Sequence, residues 1–344
     1  MTAKTRYFVI VSLLVLGVGL GTGLVAYYVG FPAGAFARAG GPDELQFVPR
    51  DATLIAYADV RDIMTSELRQ KLHSVIPVPA DGQHDFEEKT GINIETDIDH
   101  VVACVNPDRT STSSPGSGMV LARGRFNETK IEALMREHGA QAEDYRGKRL
   151  ISGTASSDRG QPREFAAAFL EPGLVALGTT RLVRSAIDLH QTGDNPQAGL
   201  QSVTGNEELM NLVKSLEGGN NFWAVGRFDA LQTQAHLPQD VTNRLPAITW
   251  FAASGHVNGG LRGVLRAETR DEEAANNLRD VVRGFLALGK MQAGTRPDIQ
   301  AMMQSLELSG TGKTVALSFM VPAAVFDVIG DVHNQQRQRK PIDR

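Results

Sequence analysis

The sequence predicts an α+β protein: an N-terminal transmembrane helix followed by two repeated antiparallel-sheet modules with helices packed on one face. Three observations predict it. Residues 8–29 carry no charged side chain, the order of strand-like and helix-like segments in the first half returns in the second, and 344 residues with 42% apolar and 22% charged content lie inside the globular range. The parse is a cytoplasmic head (1–7), an anchor (8–29), a linker (30–46), a first module (47–192), a second module (206–332) and a mobile tail (333–344).

The anchor comes first. At 1.5 Å per residue an apolar helix over 8–29 covers roughly 33 Å, enough for a hydrocarbon core. Lys4 and Arg6 precede it and the next basic residue is Arg38, so the positive-inside tendency leaves the head in the cytoplasm and exports the rest. Tyr7, Tyr27 and Tyr28 flank the run at headgroup level. Cleavage is the competing reading, because Ala35-Phe36-Ala37 forms an A-x-A site, although signal-peptide apolar regions are usually shorter. Gly17, Gly19, Gly21 and Gly23 form overlapping G-x-x-x-G spacings that give a small-residue stripe for helix self-association. The expected partners are thus the lipid bilayer through 8–29 and a membrane protein or a second copy.

The exported part reads as strand, then helix. Residues 51–60 form a strand, and Ile63, Met64, Leu68 and Leu72 fall at helical spacing after it. Strands follow over 100–106 and 118–125, a helix capped by Asn127 runs to about 137, strands lie near 149–152, 164–170 and 174–177, and a helix spans 180–190. The second half begins again with a strand over 221–229 and a helix start at 230–234. Strands over 248–257 and 261–268 join at Asn258-Gly259-Gly260, then come helices over 271–290 and 297–304, a hairpin of 305–308 and 314–321, and a closing helix over 322–332. In the long helix Ala275, Leu278, Val282, Phe285 and Leu286 share one side, which predicts a core-facing stripe. Residues 107–117 and 192–205 read as polar loops.

Charge and composition exclude several functions. A net charge of -4 with pI near 6.1 and 6% aromatic residues provides neither the basic field nor the stacking platforms that nucleic acid requires. With one cysteine, Cys104, there is no intrachain disulfide, and its apolar flanks predict an inert buried thiol. Gly310-Thr311-Gly312-Lys313-Thr314 imitates a phosphate-binding loop, but Glu307 occupies the required upstream glycine position and the following segment is strand-like, so it reads as a hairpin turn. Glu95, Asp97, Asp99 and His100 concentrate possible metal ligands without the template of a calcium loop. Asp59 and Asp229 stand at strand ends where aspartate caps the next helix. No nucleophile elbow or zinc motif occurs. The expectation is therefore no catalytic, cofactor or metal residue, with a possible ligand cleft lined by Arg123, Arg125, Trp223 and Trp250.

Val48-Pro49-Arg50-Asp51-Ala52 followed by Tyr57-Ala58-Asp59-Val60-Arg61 resembles bacterial single-span proteins of the DUF3352-like kind. That resemblance implies an envelope protein and transfers no catalytic residue. Together these readings predict a membrane-anchored extracytoplasmic interaction or assembly protein without catalytic activity, resident in the bacterial inner membrane. The alternative is an exported sensor or small-ligand-binding module, and after it an exported hydrolase.

Overall fold

The strand β1 (Leu54–Asp59) is buried along its whole length, on both of its faces, and this places it at the middle of the molecule rather than at an edge. The computed structural model describes residues 42–75, 87–88, 90–106, 117–156, 162–216, 218–228, 246–292 and 297–325. Within them β1 is followed by α1 (Val60–Thr65), α2 (Glu67–Val75), α3 (Ile94–Asp97), β2 (Ile98–Asn106), β3 (Ser117–Gly124), α4 (Glu128–Glu137), β4 (Gln141–Tyr145), β5 (Lys148–Ser156), β6 (Pro162–Glu171), β7 (Leu174–Gly178) and α5 (Thr180–Thr192). The chain continues through α6 (Glu207–Leu216), β8 (Phe222–Arg227), β9 (Ile248–Val257), β10 (Gly260–Thr269), α7 (Glu272–Gln292), α8 (Pro297–Gln304), β11 (Glu307–Ser309) and β12 (Thr314–Pro322).

These strands form one sheet of 12, in the order β11-β12-β10-β9-β8-β1-β2-β3-β7-β6-β5-β4, with every described pairing antiparallel. This corrects the expectation of two separate sheet modules. The halves are joined by pairing of β1 with β8, in a register centred on Ala56 and Ala224, from Leu54 opposite Gly226 to Ala58 opposite Phe222. Outward from that seam the order is β1-β2-β3-β7-β6 on one side and β8-β9-β10-β12-β11 on the other, with the β5–β4 hairpin added only to the first.

Helices cover both faces, which corrects the one-face expectation. On the face carrying Tyr57, α5 inserts Leu182, Val183, Ala186 and Ile187, and α6 inserts Leu209, Met210, Val213 and Leu216; each set repeats at helical spacing. Opposite, on the face carrying Ala58, Ile131 of α4 joins Val101, Val120 and Val175, while Leu68 of α2 and Met302 and Met303 of α8 meet Phe222, Leu261 and Phe319. Ala275 and Leu278 of α7 pack on Val315. On the Tyr57 face of β10, α6 reaches Arg266 through Ser215. That face is mixed: the register puts Arg262, Val264, Arg266 and Glu268 of β10 and Thr314, Ala316, Ser318 and Met320 of β12 on it, with Arg266 and Glu268 toward the Thr314 end.

Three further expectations are revised. Among the described residues no helix is long and apolar enough to cross a membrane, so the transmembrane helix is not part of the described fold. The expected span (8–29), its stripe of Gly17, Gly19, Gly21 and Gly23, the loop 107–116 and the tail 333–344 lie outside the described residues. The linker ends earlier than expected, because Asp43–Phe47 is a 3-10 helix with Glu44, Leu45 and Phe47 buried. The connector 192–205 is ordered as well: Ser202 bridges to Pro49, and the Val203 N–H donates to the Val48 carbonyl at 2.8 Å.

Candidate functional site

The Glu268 end of the Tyr57 face and the flank of α6 enclose a groove of about 820 Å³. Its wall is α6. Beside the core stripe of that helix runs a second stripe, Glu208, Asn211, Leu212 and Ser215, and all four line the groove. Its floor comes from the ends of β8, β9 and β10, where Arg227 lies opposite Trp250 and Trp250 lies opposite Glu268. Arg266 stands two residues before Glu268 on the same face, opposite the small Ala252, so its long side chain can cross the floor to α6; its Nη1 donates to Ser215 Oγ at 2.9 Å. Arg270 and Lys313 complete the outer rim.

The acids in this groove are engaged by the protein. Glu208 Oε1 accepts the Trp250 indole N–H at 2.7 Å, and Glu268 Oε1 accepts the Thr314 hydroxyl at 2.6 Å. Just outside, Asp271 accepts the Ala274 N–H at 2.8 Å and the Arg270 Nε–H at 3.0 Å, and these bonds hold its carboxyl below the usual range. Among the described residues the groove therefore offers an indole, a helix flank and four basic side chains.

Of the residues expected to line a cleft, only Trp250 does. Trp223 is buried in the central core, stacked on Tyr57 with ring centroids 5.7 Å apart. Arg123 lies under the N-terminal 3-10 helix, where its Nε donates to Glu44 Oε1 at 2.8 Å and its Nη2 to Glu171 Oε1 at 2.8 Å. Burial works against its charge, and those two bonds outweigh it and raise its pKa. Arg125 donates to the Thr96 carbonyl at 2.6 Å and to Asp97 at 3.1 Å on the surface of the first half. The sequence did not single out Arg227, Arg266 or Arg270, which become neighbours only through the pairing of three strands.

Other candidates dissolve into structure. Glu95 pairs with Arg69, Asp97 with Arg125, Asp99 with Arg61 and His100 with Glu44, so each of these acidic and imidazole groups has its own protein partner; among the described residues no group of three metal-ligating side chains occurs. Asp59 caps α1, its Oδ1 accepting the Asp62 N–H at 2.5 Å. Asp229 lies outside the described residues. Gly310 and Gly312, both with positive φ, sit in the turn between β11 and β12, which presents Lys313 to the groove. Burial pushes the Cys104 thiol up to about 12, which suits an inert core residue.

No protein-family model, curated protein or solved structure matches the chain.

Proposed function

We propose that the chain is an exported, non-catalytic binding protein whose recognition site is the groove between α6 and the ends of β8, β9 and β10. The carrying observation is that groove itself: a concave site with one indole and several converging polar side chains, the form that small-ligand sites take. Its acids, Glu208 and Glu268, are each held by a protein donor, which favours binding over turnover. Lys4 and Arg6 ahead of the uncharged stretch 8–29 support export.

A thermal-shift screen over metabolites and metals tests the reading. At least one compound is expected to raise the melting temperature and to change the fluorescence of Trp250, and Trp250→Phe is expected to remove the optical response while buried Trp223 stays silent. A flat screen contradicts the proposal.

A second reading, an interaction or assembly protein, is favoured by α7. Phe285, Leu288 and Met291 are 59%, 53% and 82% exposed on the last turns of that helix, where the sequence expected Phe285 in the core. Large apolar side chains grouped on an exposed helix mark protein contact surfaces. Light scattering after gel filtration, with cross-linking, is expected to show an assembly that Leu288→Glu abolishes. Identical monomers and identical cross-links for both proteins count against this reading.

A further inference from the structure

We infer that the groove takes a small molecule bearing at least two oxyanion groups, carboxylate or phosphate. The inference rests on the binding reading above and adds the chemistry of the ligand. The chain as a whole is acidic, at -4, yet among the described residues its groove gathers Arg227, Arg266, Arg270 and Lys313 against Glu208 and Glu268, with Asp271, at the rim, ion-paired to Arg270. A local sign opposite to the net charge concentrates anions at that place.

The three carboxylates are each held by protein donors: Glu208 by the Trp250 indole, Glu268 by the Thr314 hydroxyl, and Asp271 by the Ala274 N–H and Arg270. Those bonds occupy acceptor positions that a ligand's donors would otherwise use. Among the described residues Arg266 and Arg270 each place one side-chain N–H on a protein acceptor. Arg266 places one N–H on Ser215 Oγ, and a guanidinium carries five donors in a fork that matches carboxylate and phosphate oxygens.

Spacing decides between one anionic group and two. Arg266 lies toward the inner end of the floor, one strand pair beyond Trp250, while Arg270 and Lys313 lie past the strand ends at the rim. Arg266 stands opposite Ala252, inward of Trp250, and the Arg270 N–H donates to the Ala247 carbonyl at 2.9 Å, outward of it, so basic residues stand on both sides of the indole. A monoanion engages one end of this arrangement; a molecule with oxyanions at both ends engages both and lays its middle along Trp250. The volume of about 820 Å³ lies within the range of small-ligand sites.

The test is isothermal titration of the full chain with citrate, pyrophosphate and the neutral maltotriose, at low and high salt, for the wild type and for Lys313→Gln and Arg270→Gln. Both substituted side chains are exposed, so unchanged melting temperatures verify that the variants fold. Binding of citrate or of pyrophosphate is expected, the stronger of the two identifying the oxyanion. Lys313→Gln and high salt are each expected to weaken it by roughly 3–10-fold, the effect of one charge at a wet rim. Maltotriose is expected not to bind. If maltotriose binds and neither anion does, the anion inference falls while the groove reading stands. If anions bind with no dependence on salt or on Lys313, the inference also falls. If neither anion binds at millimolar concentration it falls as well, and a flat ligand screen then removes the groove reading with it.

Discussion

Glu44, whose side chain is 3% exposed, has its carboxylate between His100 Nε2 at 3.0 Å and Arg123, so an acid that burial alone would neutralise stays charged. Burial raises its pKa, but contact with His100 and the Arg123 hydrogen bond overcome that and bring it down from 4.5 to about 2. A folded-state pKa below the unfolded value means a contribution fully present above about pH 4.5 and lost as the pH falls toward 2. Glu44→Gln is expected to reduce unfolding free energy by about 2 kcal/mol at pH 7, and by progressively less below pH 4. Urea unfolding of both proteins across pH 7 to 3 checks this; a constant gap contradicts it. Tyr57 makes the opposite prediction. Its hydroxyl is buried with no hydrogen-bond partner among the described residues, and burial, with nearby Asp59 and Glu44, raises its pKa. Removing an unpaired polar atom relieves a desolvation cost, so Tyr57→Phe should leave stability unchanged or raise it by up to about 1 kcal/mol. A loss of more than that in the same unfolding measurement contradicts the assignment.

At the scale of elements, close approach of neighbouring strands limits what can replace their glycines. A Cβ on Gly178 of β7 would stand 2.4 Å from the Gly118 carbonyl oxygen and 2.7 Å from the Met119 Cα of β3, both backbone atoms that cannot turn aside. Gly178→Ala is expected to cost about 1–3 kcal/mol in thermal unfolding; a neutral effect refutes the tight β3–β7 packing. Which elements could be read from sequence follows from what each exposes. Apolar runs such as Val101–Val105 and the i, i+3, i+4 stripes of α5 and α7 announce themselves because burial selects their residues. β4, Gln-Ala-Glu-Asp-Tyr, does not, because it is an edge strand whose charges face water and whose alternation is consequently absent. α6 was missed although Leu209, Met210, Val213 and Leu216 have helical spacing, since it follows a polar connector read as structureless. α7 is core-facing at Ala275 and Leu278 but leaves Phe285 exposed in its C-terminal half, so its apolar stripe is buried only in part.

For the whole molecule, the decisive pairing is β1 with β8. Local patterns point to two modules, and only the joint lack of alternation in Leu-Ile-Ala-Tyr-Ala and Phe-Trp-Ala-Val-Gly indicates that both strands are central, buried on each face. The largest core cluster crosses that seam, with Tyr57, Leu121 and Leu182 from the first half and Trp223, Val225 and Ala252 from the second. A fragment of residues 42–216 exposes β1 as an apolar edge and is expected to aggregate or to lack a cooperative thermal transition; a stable monomer with a sharp transition contradicts the single-sheet account. The same topology explains why the groove was only partly legible. Trp250 could be singled out by type, but its cationic neighbours belong to β8, β10 and two turns, and no spacing along the chain marks them as one site. The most direct test of the central claim, that the molecule recognises its ligand in this groove, is hydrogen–deuterium exchange of the full chain with and without the tightest-binding compound. Slowed exchange is expected in α6 (207–216), the start of β9 (248–250) and residues 266–270, with the first-half strands unchanged; protection confined to other segments, or none at saturating ligand, contradicts recognition in the groove.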